Sequence, residues 1–320
     1  MAVVGVDTGG TFTDIICRRD EGFLVVKLPS TPDNPARAVL AGLARLGVLP
    51  RKVLHGSTVA TNALLERKGA VTAYVGNAGF EDVIAIGRQN RPELYDLSSR
   101  KEPCLVPEAL RFGVPGRVSA QGKILEDLTP EQAWQAAQAV ADSGATSAAV
   151  CLLFSFLKPE HERLLGQALA EAGLSVSLSS DILAEFREYE RAATTVANAY
   201  VAPVMDAYLG ELEANMPDGA PLSVMQSSGG LSAAAQARRE PVRTILSGPA
   251  GGVVAALAVG KAAGFDQLIT FDMGGTSTDV SLMDGMLSMA METRIAGLPV
   301  KTPMIDIHTV GAGGGSLASL

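Results

Sequence analysis

Two segments of the chain, residues 7–14 and 272–279, share the pattern Asp-x-Gly-Gly-Thr-x-Thr-Asp. Consecutive glycines let backbone N–H groups point at one anion without a Cβ in the way, and the following threonine adds a hydroxyl donor. Six fixed positions in eight, each time between two apolar runs, indicate an internal duplication. Two such turns that face each other are suited to binding a polyphosphate.

The aspartates of the two motifs are candidates for catalysis and metal binding. Asp7 and Asp272 each end an apolar run, and a carboxylate beside phosphates requires a divalent cation between them, for which Mg²⁺ is the natural choice. Asp14 and Asp279 close the two copies, and they either assist the metal or a water molecule, or fix the turn by hydrogen bonds to its backbone. The candidate phosphate-binding residues are Thr8, Gly9, Gly10, Thr11, Thr13, Gly274, Gly275, Thr276 and Thr278.

Three other polar residues are candidates outside the motifs. His55 follows a short apolar run and precedes a helix signal, so it either faces a ligand cleft as a catalytic acid or base, or packs in the interior. Asp306 and His308 lie two apart on a predicted strand, where their side chains would project to the same face and share a metal. Two ligands alone do not define a metal site.

The elements that position these residues are predicted to alternate between strands and helices, which is typical of an α/β fold. The predicted strands are residues 2–6, 12–17, 23–28, 53–55, 71–75, 147–154, 222–226, 268–271, 279–283 and 287–293. The predicted helices are residues 34–46, 58–67, 131–143, 158–172, 189–215 with an interruption near Pro203, and 249–263. Residues 77–122 have several prolines and weak periodicity, which predicts a long surface excursion.

Composition excludes several classes of protein. The chain is 47% hydrophobic and 19% charged, which rules out disorder, and its net charge of −8 argues against a nucleic acid as the main partner. Its apolar segments are too short or too interrupted by glycine to span a bilayer, and the N-terminus has no features of a secretory signal. Three widely spaced cysteines suit a reducing compartment. We therefore expect a cytoplasmic protein without a membrane span.

The two motifs, each opening a unit of three strands, resemble the phosphate-1 and phosphate-2 motifs of the actin, Hsp70 and sugar-kinase ATPase superfamily. Residues 246–253 begin a helix in the place of the superfamily's connecting helix. Further segments narrow the match, namely residues 6–14, 55–63, 88–97 and 305–316. Together they resemble the A-type subunit of the hydantoinase/oxoprolinase family, which includes ATP-dependent N-methylhydantoinase, 5-oxoprolinase and ketone carboxylase subunits.

The resemblance implies a two-lobed, actin-like ATPase with ribonuclease H-like lobes, each a mixed sheet flanked by helices. Residues 1–76 would form the first lobe with the phosphate-1 hairpin, and residues 77–190 an insertion with an additional α/β unit. Residues 191–320 would hold the connecting helices and the second lobe with the phosphate-2 hairpin. Family members continue past residues 311–316, so we expect this second lobe to be incomplete, with the adenine-binding segment in the continuation.

The resemblance also implies a reaction. MgATP would transfer its γ-phosphoryl group to the carbonyl oxygen of a cyclic amide of the hydantoin or 5-oxoproline type, and water would then open the ring. A B-type subunit is the implied partner. The alternatives are a subunit of an ATP-dependent ketone carboxylase, a small-molecule kinase, and a non-enzymatic ATP switch. An activator of a CoA dehydratase would need a cysteine pair for an iron–sulfur cluster, and Cys17, Cys104 and Cys151 show no such arrangement.

Overall fold

A computed structural model describes residues 2–20, 22–90, 94–96, 98, 102–274 and 278–317 of the 320-residue chain. The strands are β1 (Ala2–Thr8), β2 (Phe12–Arg19), β3 (Gly22–Pro29), β4 (Pro50–Ser57), β5 (Thr72–Asn77), β6 (Arg111–Val114), β7 (Arg117–Val118), β8 (Ile124–Glu126), β9 (Ser147–Val150), β10 (Ser175–Leu178), β11 (Leu222–Met225), β12 (Leu231–Ala233), β13 (Gln267–Met273), β14 (Thr278–Asp284), β15 (Met289–Ala290), β16 (Thr293–Ile295), β17 (Leu298–Val300), β18 (Met304–Ile305) and β19 (His308–Val310). The α-helices are α1 (Pro35–Arg45), α2 (Val59–Leu65), α3 (Val83–Ile86), α4 (Pro130–Asp142), α5 (Glu160–Glu171), α6 (Ser179–Ile182), α7 (Glu188–Ala214), α8 (Ala234–Arg239) and α9 (Ser247–Ala262). Short 3₁₀ helices span Glu108–Leu110, Pro217–Gly219 and Pro241–Thr244.

These mixed sheets flanked by helices confirm the α/β prediction. The chain divides into two compact units, each discontinuous in sequence. Unit 1 comprises Met1–Thr61, Met205–Glu292 and Pro303–Leu320, and unit 2 comprises Asn62–Val204 and Thr293–Thr302. The division into lobes that was expected from the sequence, with boundaries at residues 1–76, 77–190 and 191–320, remains a prediction. None of the described helices combines the length and the apolar character that crossing a bilayer requires.

Unit 1 is built on a six-stranded sheet in the order β12-β11-β4-β1-β2-β3. Its central strand, β1, pairs antiparallel with β2 and parallel with β4, and its side chains alternate between the two faces of the sheet. Helix α1 covers one face of this sheet and begins at Asn34, whose side chain accepts a hydrogen bond from the Ala36 N–H. Gly42 lets α1 lie close, because a Cβ there would lie 2.1 Å from Cδ1 of Ile15. The three strands and the helix predicted around the first motif are thus confirmed.

A second sheet of unit 1 has the order β13-β14-β19. The prediction that residues 287–293 form its third strand is wrong, because β19 takes that place. Leu287 instead packs against a buried cluster that includes Val253 of α9, Met283 and Ile305. Leu287 therefore covers α9 rather than extending the sheet, whereas Met289 and Met291 are exposed.

Unit 2 contains a sheet of four parallel strands in the order β10-β9-β5-β6. Its β6 corrects the prediction of a surface excursion over residues 77–122, because this strand lies inside that segment and pairs with β5. Val106 and Val114 from the segment are fully buried. The prolines that suggested a loop lie on either side of these short buried stretches, where they disturb no strand pairing.

Helix α7 continues through Pro203, contrary to the predicted interruption. Proline lacks an N–H and leaves the carbonyl of the residue four positions earlier without its helical donor. In this helix that carbonyl belongs to Ala199, and it accepts a hydrogen bond of 2.8 Å from the buried Ser147 hydroxyl. The neighbouring carbonyl of Tyr200 accepts one from the Ala70 N–H at 2.9 Å. Donors from outside the helix thus replace the one that proline removes.

Candidate functional site

The two motifs form equivalent hairpins, both within unit 1. In the first, Asp7 lies opposite Asp14 and Thr8 opposite Thr13 across β1 and β2. In the second, Asp272 lies opposite Asp279 and Met273 opposite Thr278 across β13 and β14. The internal duplication predicted from the sequence is therefore present in strand pairing as well. Gly275 and Thr276, predicted to bind phosphate, lie outside the described residues.

The carboxylates that open the hairpins, Asp7 and Asp272, form no hydrogen bond or ion pair with any residue in the described part of the chain. Asp7 is accessible to solvent but surrounded by protein atoms, and this partial desolvation raises its pKa. The negative charges of Asp14 and Asp272 raise its pKa further, whereas Lys27 lowers it. The charge of Asp272 thus acts on Asp7, and neither carboxylate has a partner among the described residues, which suits the binding of a cation.

The aspartates that close the hairpins have structural partners. Asp14 accepts hydrogen bonds of 2.8 and 2.9 Å from Lys27 on β3. Asp279 accepts one of 2.6 Å from the Thr309 hydroxyl on β19, the strand that corresponds to β3. The sequence left two roles open for these aspartates, namely assisting a metal or a water molecule, or fixing the hairpin. The contacts favour the second role, because each aspartate is bonded to the third strand of its copy.

The glycine turn of the first hairpin is open toward solvent. A Cβ on Gly10 would meet no protein atom within 4 Å, and neither Gly9 nor Gly10 has a positive φ. The N–H groups of Gly10 and Thr11 have no acceptor among the residues that the structure describes. Neither backbone conformation nor packing against described residues explains why residue 10 is a glycine. A ligand that approaches the N–H groups of Gly10 and Thr11 would explain it, because a Cβ at this position would stand in its way. Gly274, in the second hairpin, is likewise exposed.

Three predicted phosphate-binding threonines point away from the open side of the turns. Thr8 and Thr13 are 2% and 0% exposed, and the Thr13 hydroxyl is hydrogen-bonded to that of Ser30 at 3.1 Å. Thr278 is 4% exposed and donates to the carbonyl of Ala312 at 2.7 Å. The predicted contact of these three hydroxyls with phosphate is therefore corrected. Successive side chains of a strand point to opposite faces, so the residues next to the outward-facing aspartates point inward. Any contribution of these three residues to ligand binding would come from their backbones.

His55 is buried beneath the first hairpin. It is paired with Val6 in the parallel register of β1 and β4, and its Nε2 lies 2.6 Å from the hydroxyl of Tyr208. Desolvation lowers the pKa of His55 to about 4. Burial also raises the pKa of Tyr208, whereas hydrogen bonds with the hydroxyls of Ser57 and Thr8 act to lower it. This placement favours the packing role of His55 over the predicted catalytic one, because its imidazole is 1% exposed and hydrogen-bonded to Tyr208.

Tyr208 is a site neighbour that the sequence analysis missed. It lies on α7, 153 positions from His55, and no local pattern marks it. The start of α9 was predicted as the beginning of a helix, but its position beside Asp7 was not predicted. Gly248 lies beside Asp7, since a Cβ on it would be 3.9 Å from Oδ1, and no side chain of the described residues caps this helix N-terminus. The signal in the sequence was the Ser-Gly-Pro run at residues 247–249, which leaves the first turn of the helix open to an anion.

Asp306 and His308 do not share a strand as predicted. Asp306 follows β18, its N–H donates to the Ser288 carbonyl, and only His308 belongs to β19. Within the described ranges, no cluster of three or more histidine, cysteine, aspartate or glutamate side chains is arranged to hold a metal ion. A metal role for this pair remains a prediction.

Two cavities flank α9, and each reaches one hairpin. The first, about 490 Å³, lies between α9 and the six-stranded sheet and reaches Asp7 and Asp14. The second, about 460 Å³, lies between α9 and β13–β14 and reaches Asp272 and Asp279. Gly252 of α9 lines both cavities, so the small residues of this helix separate the two hairpins.

Comparison with known proteins gives two family matches. Residues 3–173 match the description "Hydantoinase/oxoprolinase N-terminal region", and residues 191–320 match "Hydantoinase/oxoprolinase". The caprolactamase subunit alpha of Pseudomonas jessenii is 34% identical over 338 residues, which cover 99% of this chain and 48% of that protein. The 5-oxoprolinase of Saccharomyces cerevisiae is 33% identical over 371 residues, covering 99% of this chain and 28% of that protein.

A solved structure of acetone carboxylase without nucleotide is also similar. It superimposes with a TM-score of 0.87 at 29% identity, over 98% of this chain and 48% of that one. The chain thus spans about half the length of the caprolactamase and acetone carboxylase chains, and a smaller part of 5-oxoprolinase.

Proposed function

The chain belongs to the hydantoinase/oxoprolinase family, and from this premise we propose that its two hairpins bind the phosphates of ATP for the ATP-dependent hydrolysis of a cyclic amide. The observation that carries the proposal is a pair of carboxylates, Asp7 and Asp272, at equivalent positions of duplicated glycine hairpins, neither of which has a partner in the described ranges. The free amides of Gly10 and Thr11 and the uncapped start of α9 supply donors beside Asp7.

The chain's residues have separate roles in this proposal. The backbone of Gly9, Gly10 and Thr11, with Gly274, Gly275 and Thr276 in the second copy, would orient the phosphates and stabilise the negative charge that grows during phosphoryl transfer. Asp14 and Asp279 would keep the hairpins in shape through their contacts with Lys27 and Thr309.

Asp7 and Asp272 fit a divalent cation, since both are carboxylates without a partner among the described residues and the charge of Asp272 raises the pKa of Asp7. We propose Mg²⁺, which is commonly held by one or two carboxylates together with substrate phosphates. When bound, it would neutralise charge on the phosphates of ATP. The two carboxylates would hold it, and neither would act as a proton donor.

We propose a cyclic amide as the substrate class. Similarity to a 5-oxoprolinase and to a caprolactamase subunit supports a ring amide whose carbonyl oxygen accepts a phosphoryl group before water opens the ring. A second candidate is the ATP-dependent carboxylation of a ketone, which is supported by similarity to acetone carboxylase. At about one-third identity, these relatives support a substrate class.

A B-type hydantoinase subunit is the proposed partner, because the caprolactamase relative is named as one subunit of its enzyme. We propose the cytoplasm as the location, in keeping with the free thiols of Cys17, Cys104 and Cys151.

The proposal is tested by measuring phosphate release from ATP by the chain assembled with a B-type subunit. The panel contains hydantoins, 5-oxoproline, other lactams, and ketones with and without bicarbonate. We expect a cyclic amide to stimulate phosphate release and to yield the ring-opened acid. Stimulation only by a ketone with bicarbonate would favour the second candidate. A stable phosphoester would indicate a kinase, and turnover independent of every compound would indicate an ATP switch.

Replacement of Gly10 by valine is expected to weaken ATP binding roughly tenfold, equivalent to about 1.4 kcal/mol, without loss of stability. The new side chain would occupy the open side of the turn, where it meets no protein atom. Isothermal titration with ATP and thermal unfolding measure the two effects. The matched control is Gly210→Ala on α7, where a Cβ makes only ordinary contact with Arg238. Equal affinity of Gly10→Val and wild type would contradict phosphate binding at this turn.

A further inference from the structure

Ser30 follows β3 and lies directly beside the glycine turn of the first hairpin. Its backbone N–H donates to the carbonyl of Thr11 at 2.9 Å. Its hydroxyl donates to the carbonyl of Gly9 at 2.7 Å and lies 3.1 Å from the hydroxyl of Thr13. A serine hydroxyl has one proton, and here Gly9 accepts it, so the hydroxyl of Thr13 donates to Ser30. One residue thus contacts the hairpin at three points.

The bond to Gly9 determines the direction of the Gly10 N–H. The carbonyl of Gly9 and the N–H of Gly10 belong to the same peptide group, which is trans. In a planar trans peptide the C=O and the N–H point in opposite directions. Because the carbonyl of Gly9 points toward Ser30, the N–H of Gly10 points away from it, where no described residue accepts a hydrogen bond from it.

Without this bond, the orientation of the peptide between the two glycines would be poorly determined. Glycine adopts a wide range of φ and ψ angles, so a peptide flanked by two glycines can rotate at low cost. Packing does not prevent the rotation, because the side of Gly10 where a Cβ would lie is open for 4 Å. A rotated peptide would present the carbonyl oxygen of Gly9 where the N–H of Gly10 had been, and that oxygen would repel an anion.

The second hairpin fixes the equivalent carbonyl with a different donor. Gly274 takes the position of Gly9 in the strand register, and its carbonyl accepts a hydrogen bond of 2.9 Å from the Gly314 N–H. The hydroxyl of Thr278 donates to the carbonyl of Ala312 in the same loop. In both copies, therefore, the loop after the third strand holds the carbonyl of the first glycine and the hydroxyl of the buried threonine. The same groups are held by different donors and acceptors, which points to a requirement of the hairpin itself.

We propose that Ser30 is a positioning residue for phosphate binding. Its hydroxyl keeps the carbonyl of Gly9 turned away from the ligand and so presents the N–H of Gly10 to a phosphate oxygen of ATP. This inference rests on the proposed function of the hairpins. An N–H that is oriented in advance stabilises negative charge without a cost of reorganisation when the ligand binds. Ser30 acts through the turn and needs no contact with ATP of its own.

A purely structural role is the alternative for Ser30, in which it fastens β3 to its neighbour. Strands β2 and β3 are already paired along their full length, and the N–H of Ser30 continues this pairing to Thr11. Loss of the hydroxyl would leave all of these backbone hydrogen bonds in place. We therefore expect the hydroxyl to affect ATP binding more than stability.

The test compares Ser30→Ala with wild type in the chain assembled with a B-type subunit. We expect the KM for MgATP to rise about tenfold and the KM for the cyclic amide to change by less than about twofold. Ser30→Thr keeps the hydroxyl, so it should return the KM for MgATP to within about threefold of wild type. A purely structural role would instead reduce the fraction of active enzyme, which lowers kcat and leaves both KM values unchanged.

Ser119→Ala is the matched control. Ser119 is half-buried like Ser30, and its hydroxyl accepts a hydrogen bond of 3.1 Å from the Lys123 N–H in a turn of unit 2. Its loss should leave the KM for MgATP unchanged. Thermal unfolding shows whether the variants are folded. If Ser30→Ala does not fold, Ser30→Cys replaces it with the same expected result, because a thiol is only a weak donor.

The possible outcomes separate this inference from the proposed function. If wild type turns over ATP and Ser30→Ala has the same KM for MgATP, the inference is overturned and the proposed function stands. A rise in KM that Ser30→Thr does not reverse also overturns it. If wild type neither binds nor hydrolyses ATP, the proposed function fails and the role of Ser30 fails with it.

Discussion

Replacement of Asp7 or Asp272 by asparagine is expected to reduce ATP hydrolysis about 10³-fold or more while the fold remains intact. Each carboxylate lies one residue before the end of its strand and has no partner among the described residues that would be left without a contact. Asparagine keeps the shape but removes the charge that would hold Mg²⁺ beside the phosphates. The measurement is phosphate release under saturating substrate, with circular dichroism to verify folding.

The raised pKa of Asp7 adds a stability outcome to this prediction. A carboxyl group whose pKa is higher in the folded than in the unfolded protein is more costly to ionise in the folded state, so it lowers stability at neutral pH. Asp7→Asn should therefore unfold at the same temperature as wild type or at a higher one at pH 7. The matched control is Asp206→Asn, a surface aspartate bonded to Arg238, which should leave turnover unchanged. Retained turnover in both Asp7→Asn and Asp272→Asn would refute the assignment.

The second large effect is an acid-dependent loss of stability caused by His55. Its pKa falls from 6.5 to about 4 in the folded protein because the buried ring is desolvated. Between these two pH values the unfolded chain binds more protons than the folded one, so the free energy of unfolding decreases as the pH falls. The shift corresponds to about 3 kcal/mol of stability, lost between pH 6.5 and 4. Chemical denaturation at intervals across this range measures the decrease.

Two variants isolate this effect. His55→Gln keeps a polar group facing Tyr208 but cannot titrate in this range, so its free energy of unfolding should vary less with pH between 6.5 and 4. His308→Gln removes an exposed histidine and should keep the wild-type dependence. If His55→Gln and wild type lose the same stability over this range, His55 is not the group responsible.

The family resemblance and the duplicated hairpins could be predicted from the sequence because both depend on short contiguous segments. An Asp-x-Gly-Gly-Thr-x-Thr-Asp pattern determines a strand–turn–strand locally, and its repetition 265 positions later needs no knowledge of packing. The helix over residues 34–46 was predictable for the same reason, with Asn34 as its cap and Gly47, at a φ of +63°, after its end.

Pairings between distant segments could not be predicted. Leu287 has the apolar character of a strand residue, but its partners are Val253, Met283 and Ile305, which are brought together only by α9. Pro203 suggested a helix interruption, and the hydroxyl that compensates for it belongs to Ser147, 52 positions from its acceptor Ala199. Such contacts depend on which elements are neighbours in space.

The sequence by itself therefore determined the family and the paired glycine hairpins, because these features are encoded in the residues that form them. Only the tertiary structure decided which side chains are available for chemistry. It directed Thr8 and Thr13 into the interior, gave Asp14 and Asp279 structural partners, and placed His55 against Tyr208. It gave Asp7 and Asp272 no partner among the residues that the structure describes, because burial and partners depend on the elements packed around a residue and not on its own motif.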